Sequence, residues 1–135
     1  MADLTITAVR PTATTRFELV VYGATVAVGD VLYFDTTDLE WKLADCDDTQ
    51  ATSQAGCLAM TPGVDGGYGI VATGGSVVLV GASMTAGDSQ VLSGTAGKIQ
   101  QDADLASNDW IVQIGRAESS VQIKLAFDSL GIQVP

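Results

Sequence analysis

Val121-Gln122-Ile123-Lys124-Leu125-Ala126-Phe127-Asp128 alternates large apolar side chains with polar or small ones. A β-strand turns successive side chains to opposite faces, so Val121, Ile123, Leu125 and Phe127 are expected in a core and their neighbours in water. Short β-branched or aromatic runs recur upstream, at 16–22, 30–34, 40–44, 56–60, 69–72, 76–80, 90–92 and 110–117, punctuated by Gly, Asp, Asn and Ser. Closely spaced strands separated by turn residues are the pattern of sandwiches and barrels. Ser76-Val77-Val78-Leu79-Val80 is apolar without alternation, so it is expected to be covered on both faces. Helical periodicity is scarce. Only 47–55 and 102–107 offer a helical turn, and neither carries an apolar stripe.

The expected fold is therefore all-β, a compact β-barrel or sandwich. A length of 135 residues and a mass of 13.9 kDa suit one domain with one core. Within it the chain states one module twice, about 60 residues apart. The first copy, over 27–80, runs Ala27-Val28-Gly29-Asp30-Val31-Leu32-Tyr33, Glu40-Trp41-Lys42-Leu43-Ala44-Asp45, Gly56-Cys57-Leu58-Ala59 and Ser76-Val77-Val78-Leu79-Val80. The second, over 85–125, runs Thr85-Ala86-Gly87-Asp88-Ser89-Gln90-Val91-Leu92, Gly97-Lys98-Ile99-Gln100, Ile114-Gly115-Arg116-Ala117 and Val121-Gln122-Ile123-Lys124-Leu125. Gly-Asp turns the chain into a strand, and an acidic or glycine turn returns it as a hairpin.

Residues 1–16 stand apart from this scheme, ahead of a β-rich domain at 17–135. The stretch is β-prone, but Pro11 forbids a central-strand role there. It reads as an extended N-terminal arm; an edge strand of the same domain and a segment ordered only against a partner are both open.

Sixteen acidic residues against six basic ones give a formal net charge of -10. Such a field repels phosphate backbones and anionic lipid, so nucleic acid and membrane are not expected partners. The start Met1-Ala2-Asp3-Leu4-Thr5 has no signal-peptide character, and no apolar stretch reaches the roughly 18 residues of a membrane helix. Synthesis in a reducing cytoplasm follows, where Cys46 and Cys57 are expected as two buried thiols.

Histidine is absent, which removes the commonest general base and metal ligand, so Ser-His-Asp and Cys-His sites cannot be assembled. Asp45, Asp47, Asp48, Asp102 and Asp104 are numerous enough for a carboxylate pair, but they lie in turn-like contexts where solvated acids are the rule. Counted as a calcium loop from Asp45, the sixth position is Gln50 where Gly is needed and the twelfth is Gly56 where Glu is needed. Gly63-Val64-Asp65-Gly66-Gly67-Tyr68-Gly69 and Gly94-Thr95-Ala96-Gly97-Lys98-Ile99 open no helix and are read as turns rather than phosphate loops. No enzymatic activity, cofactor or metal is expected. Tyr33, Phe34, Trp41 and Trp110 fall in strand-like runs and are expected to pack in the core. An exposed Trp41 or Trp110 would instead offer a stacking platform for sugar rings.

The succession Ala-Val-Gly-Asp-Val-Leu-Tyr, Trp-Lys-Leu-Ala-Asp, a Gly-x-x-Ala strand, Ala-Gly-Asp, Val-Leu-Ser-Gly-Thr-Ala-Gly-Lys-Ile and Val-x-Ile-x-Leu, over 28–125, resembles the capsid decoration (head cement) proteins of tailed bacteriophages. The resemblance implies a non-enzymatic structural protein of the virion, a homotrimer that binds the major capsid protein on the capsid exterior and strengthens the shell. An arm over 5–17 would add a strand to the capsid lattice, with Thr5, Ile6, Val9, Arg10, Arg16 and Phe17 as the contact residues. The alternative is a head-fibre or tail-associated module that recognises a carbohydrate or receptor.

Overall fold

The computed structural model describes residues 3–135. Ten strands account for most of them: β1 (Ala8–Pro11), β2 (Arg16–Val21), β3 (Val31–Asp35), β4 (Glu40–Leu43), β5 (Ala55–Ala59), β6 (Tyr68–Val80), β7 (Ser89–Leu92), β8 (Ile99–Gln101), β9 (Trp110–Ala117) and β10 (Gln122–Gln133). Single 3-10 turns, Ala51–Ser53 and Asp102–Asp104, fall within the two stretches expected to hold a helical turn. The strands form one antiparallel sheet in the order β4-β3-β5-β6-β10-β9-β7-β8, and it curls into a half-barrel.

The long strand β6 is the spine. Its first half pairs with β2 on one side and β5 on the other, its second half with β1 and β10. The change of neighbours falls at Thr73-Gly74-Gly75, where the pairing with β2 shifts register. Gly75 adopts a φ of 77°, and a Cβ there would run into the carbonyl of Thr14, so only glycine fits. Val77 and Leu79 enter the main core while Val78 and Val80 are half-buried, so the far face of this run is only partly covered.

The alternation read in β10 holds: Ile123 and Leu125 are buried, Phe127 packs against the core, and Lys124, Ala126 and Asp128 are exposed. The main core draws Val31, Leu58 and Ala72 from one half of the sheet, and Leu79, Leu92, Ile99 and Ile114 from the other. A second cluster, Val20, Tyr22, Val26, Leu32, Cys57, Ala59 and Val71, fills the opposite face of the β2–β5 region. Backbone bonds stitch the ends of the curled sheet together. Val31 N–H donates to Gly97 O (2.8 Å), Gly97 N–H to Ala44 O (2.7 Å) and Trp110 N–H to Cys46 O (2.8 Å).

Pairing registers coincide for β3–β5 and β7–β9, though not for β6 and β10, where Leu58 faces Ala72 but Arg116 faces Lys124. Leu32 faces Leu43 and Cys57, and Gln90 faces Gln101 and Gly115; each number in the second set is the first plus 58. Even the irregularity in the ladder returns, between Leu32 and Tyr33 and again between Gln90 and Val91. The Gly-Asp turns match too: Gly29 and Gly87 have φ of 85° and 90°, and their N–H groups donate to Ala59 O and Ala117 O.

The segment expected as an arm over 1–16, of which Met1 and Ala2 lie outside the described residues, does not project. Ala8 to Pro11 face Val80 to Val77, and the chain continues as β2 along the first half of β6. Leu4, Ile6 and Val9 supply the reason, since these apolar side chains pack against the main core. Thr7 N–H donates to Val80 O and Leu4 N–H to Ile99 O, both at 2.8 Å. Pro11 is accommodated because β1 ends there. The next residues bond through side chains, with Thr12 and Thr15 hydroxyls donating to Ser76 O (2.8 and 2.6 Å).

Candidate functional site

Arg16-Phe17-Glu18-Leu19-Val20-Val21 makes a strand whose two faces meet different surroundings. Val20 turns into the second cluster. Phe17 and Leu19 turn the other way, toward the face that carries Leu58 and Ala72 into the main core, but they lie beyond its rim and are 53% and 65% exposed. Across the ladder Leu19 faces Ile70 and Val21 faces Tyr68, which are 37% and 72% exposed. Met60, half-buried, lies alongside, its N–H donating to Ile70 O (2.9 Å). The result is an apolar surface bounded by an open strand edge. Among the described residues β2 pairs with no strand but β6; at its far end the chain meets β4, where Tyr22 bridges to Trp41 and Gly23 N–H donates to Trp41 O (2.7 Å).

Of the residues expected to contact a capsid, Thr5, Arg10, Arg16 and Phe17 are exposed. Ile6 and Val9 are turned inward against the core, and Ile6 occupies the space beside Gly29. The Arg16 guanidinium lies against Gly74, its cross-strand partner. Sequence reading missed Leu19, Ile70 and Tyr68. The alternation of β2 with β6 was available as a signal, but that they face each other depends on a pairing some 50 residues apart that periodicity does not encode.

Trp41 is half-buried over Gly56 and packs its ring against Phe34, centroids 5.3 Å apart at 57°. Trp110 is half-buried against the main core. The cysteines lie in different clusters, Cys46 in the main core and Cys57 in the second, and both are free thiols. Burial, reinforced by Asp109, pushes the Cys46 thiol up to about 12, and burial raises Cys57 as well. Neither thiol is poised to ionise near neutrality. Asp45 is pushed up to about 6, first by burial and then by the Asp47 carboxyl, while the Asp47 N–H that it accepts at 3.1 Å works the other way. Among the described residues no three His, Cys, Asp or Glu side chains converge as a metal site, and no helix is long and apolar enough to cross a membrane.

Comparison of the sequence with models of protein families and with curated proteins finds no match.

Proposed function

We propose that the chain is a structural protein of a bacteriophage virion, one that binds the major capsid protein on the outside of the shell and stabilises it. The observation that carries this reading is the exposed apolar surface of Phe17, Leu19, Tyr68 and Ile70 at the open edge of β2. An unpaired strand edge beside exposed apolar side chains invites an added strand, whose backbone would supply hydrogen bonds and whose alternate side chains would meet the apolar face. Because residues 8–11 and 16–21 are already paired with β6, the added strand comes from the capsid, rather than the chain lending an arm to it. The resemblance of 28–125 to decoration proteins adds the partner and a homotrimeric assembly. Many copies on one shell would let modest contacts accumulate.

The test is addition of purified protein to undecorated capsids of the encoding phage, followed by heating. Wild-type chain is expected to co-sediment with the shells and raise their disruption temperature, and Leu19→Asp to do neither while keeping its own melting temperature. Wild-type protein that neither binds nor protects the shells overturns the proposal. A second reading, a head-fibre or tail module for carbohydrate, rests on the Phe34–Trp41 ring pair, with Phe34 among the exposed hydrophobic residues. Glycan binding abolished by Trp41→Ala would favour it.

A further inference from the structure

The open edge of β2 has a phase, and the hydrogen bonds at its far end fix it. Tyr22 N–H donates to Gly67 O (2.8 Å) and Gly66 N–H donates to Tyr22 O (2.7 Å), so Tyr22 turns both backbone groups toward β6. Gly23 turns the other way, its N–H donating to Trp41 O (2.7 Å) on β4. Successive residues of a strand alternate in this respect, as their side chains alternate between faces. Glu18 and Val20 therefore bond to β6 as Tyr22 does, while Phe17 and Leu19 present N–H and C=O to the open edge. β2 carries no extra residue to upset the count, since the irregularity between Arg16 and Phe17 is an additional residue on β6, Thr73. Among the described residues no hydrogen bond reaches these four groups.

The same two residues carry the apolar face. Phe17 and Leu19 are 53% and 65% exposed, and Ile70, opposite Leu19, is 37% exposed. In an antiparallel ladder, two residues that exchange both backbone bonds stand directly opposite each other with their side chains on one face. An added strand thus needs apolar residues opposite Leu19 and Phe17, and each must keep its N–H, which excludes proline there. The residue between them stands opposite Glu18, in a pair without backbone bonds, where side chains come closest. Glu18 is exposed and takes part in no ion pair among the described residues, so a lysine or arginine fits it.

The β2 strand of a second copy does not meet these demands, because each two-fold register of β2 on itself fails. Centred on Leu19, the pairing sets a second Arg16 opposite Tyr22, where Trp41 already sits. Centred on Glu18, it sets two carboxylates opposite each other. Centred on Phe17, it sets Leu19 against a second Thr15, whose N–H is already given to Thr12 O (3.3 Å).

We propose that the β2 edge takes an extended protein segment in antiparallel sense, with apolar residues opposite Leu19 and Phe17 and a lysine or arginine between them opposite Glu18. The inference rests on the capsid-binding reading above and names the segment's chemistry, an exposed apolar-basic-apolar triplet on the capsid exterior. At roughly 3.4 Å per residue the triplet spans about 10 Å, so one contact is weak and many copies on a shell make up for it.

The experiment titrates isotope-labelled chain with the capped peptide Ser-Val-Lys-Val-Ser and follows the backbone amides by NMR. At millimolar peptide the Phe17 and Leu19 amides are expected to shift and to exchange more slowly with deuterium, and the peptide to displace the chain from undecorated capsids. N-methylation of either valine is expected to abolish the shifts, and N-methylation of the lysine to leave them. Glutamate in place of the peptide's lysine is expected to weaken binding about five-fold, and Glu18→Lys to reverse that preference. If Glu18→Lys fails to fold, Glu18→Gln is read in its place, with the preference lost. Shells that hold the wild-type chain while no peptide moves Phe17 or Leu19 overturn the inference and leave the capsid reading standing. A peptide that binds this edge while the wild-type chain binds no shell overturns the capsid reading and leaves the preference of the edge standing. Shifts lost on methylating the lysine rather than the valines overturn the antiparallel register, and equal binding of the lysine and glutamate peptides overturns the basic position. Concentration-dependent sedimentation of the free chain that Leu19→Asp abolishes marks the edge as a self-contact and overturns the proposal.

Discussion

Replacing Gln90 by leucine is expected to stabilise the fold. Gln90 is 0% exposed, its Oε1 has no hydrogen-bond partner, and its Nε2 reaches only the Asp88 carbonyl at 3.4 Å. Its counterpart by register is Leu32, fully buried on β3 between the partners that correspond to those of Gln90. A leucine thus already serves the matching position in the same kind of ladder. A buried acceptor left unpaired costs about 1–3 kcal/mol, and the long Nε2 bond that would be lost contributes at most about 1 kcal/mol. The net gain is about 1–2 kcal/mol, which for a chain this size raises the melting temperature by roughly 4–8 °C. Urea unfolding followed by tryptophan fluorescence, with calorimetry for the melting temperature, measures both quantities. A Gln90→Leu protein less stable than wild type, with an unchanged urea slope, would refute the reasoning, because it would mean that the buried amide is fully satisfied and that its oxygen was never a burden.

Further outcomes follow from other sites. Gly75→Ala meets the Thr14 carbonyl and a left-handed backbone together, and is expected to lose about 3 kcal/mol or more in urea unfolding, whereas Gly87→Ala, with open space at its Cβ, should lose only about 1–2 kcal/mol. Asp45 holds its proton more tightly in the folded state. Its contribution is therefore complete below the unfolded value near 4 and lost as pH rises through about 6; Asp45→Asn should flatten that decline in a melting series from pH 4 to pH 7. Both thiols should resist iodoacetamide in the native protein and react once it is unfolded, with mass spectrometry reading the adducts. Native labelling of Cys57 would show that the second cluster opens.

The strands were legible because their signal is local. Alternation in 121–128 and the β-branched runs place most of the ten, and the Gly-Asp turns at Gly29 and Gly87 mark matching starts in the two halves. The fate of the N-terminal segment was not legible. Pro11 argues correctly against a central strand, but whether Leu4, Ile6 and Val9 find a core depends on Val80 and Ile99, more than 70 residues away. The surface suffered from the same blindness. Arg10 and Arg16 are visible as a pair in sequence, whereas Lys124 and Arg116 look like ordinary polar members of two strands until the register sets them side by side. Phe17 was picked out and Leu19 was not, because a hydrophobic residue in a strand is assumed to be inside unless the width of the core is known.

The pairing of Ala8 with Val80, and of Leu4 with Ile99, sets a timetable for the nascent chain. The segment that carries β1 and β2 leaves the ribosome before the strands it pairs with exist. At about 5–20 residues per second, the N-terminal ribbon waits several seconds before β6 and then β8 have been made. Throughout that interval its apolar side chains are bare, and the copies of this chain on one polysome are its nearest alternative partners. Slow codons before β6 would lengthen the exposure, while a chaperone that holds the ribbon until β8 emerges would shorten the list of wrong outcomes.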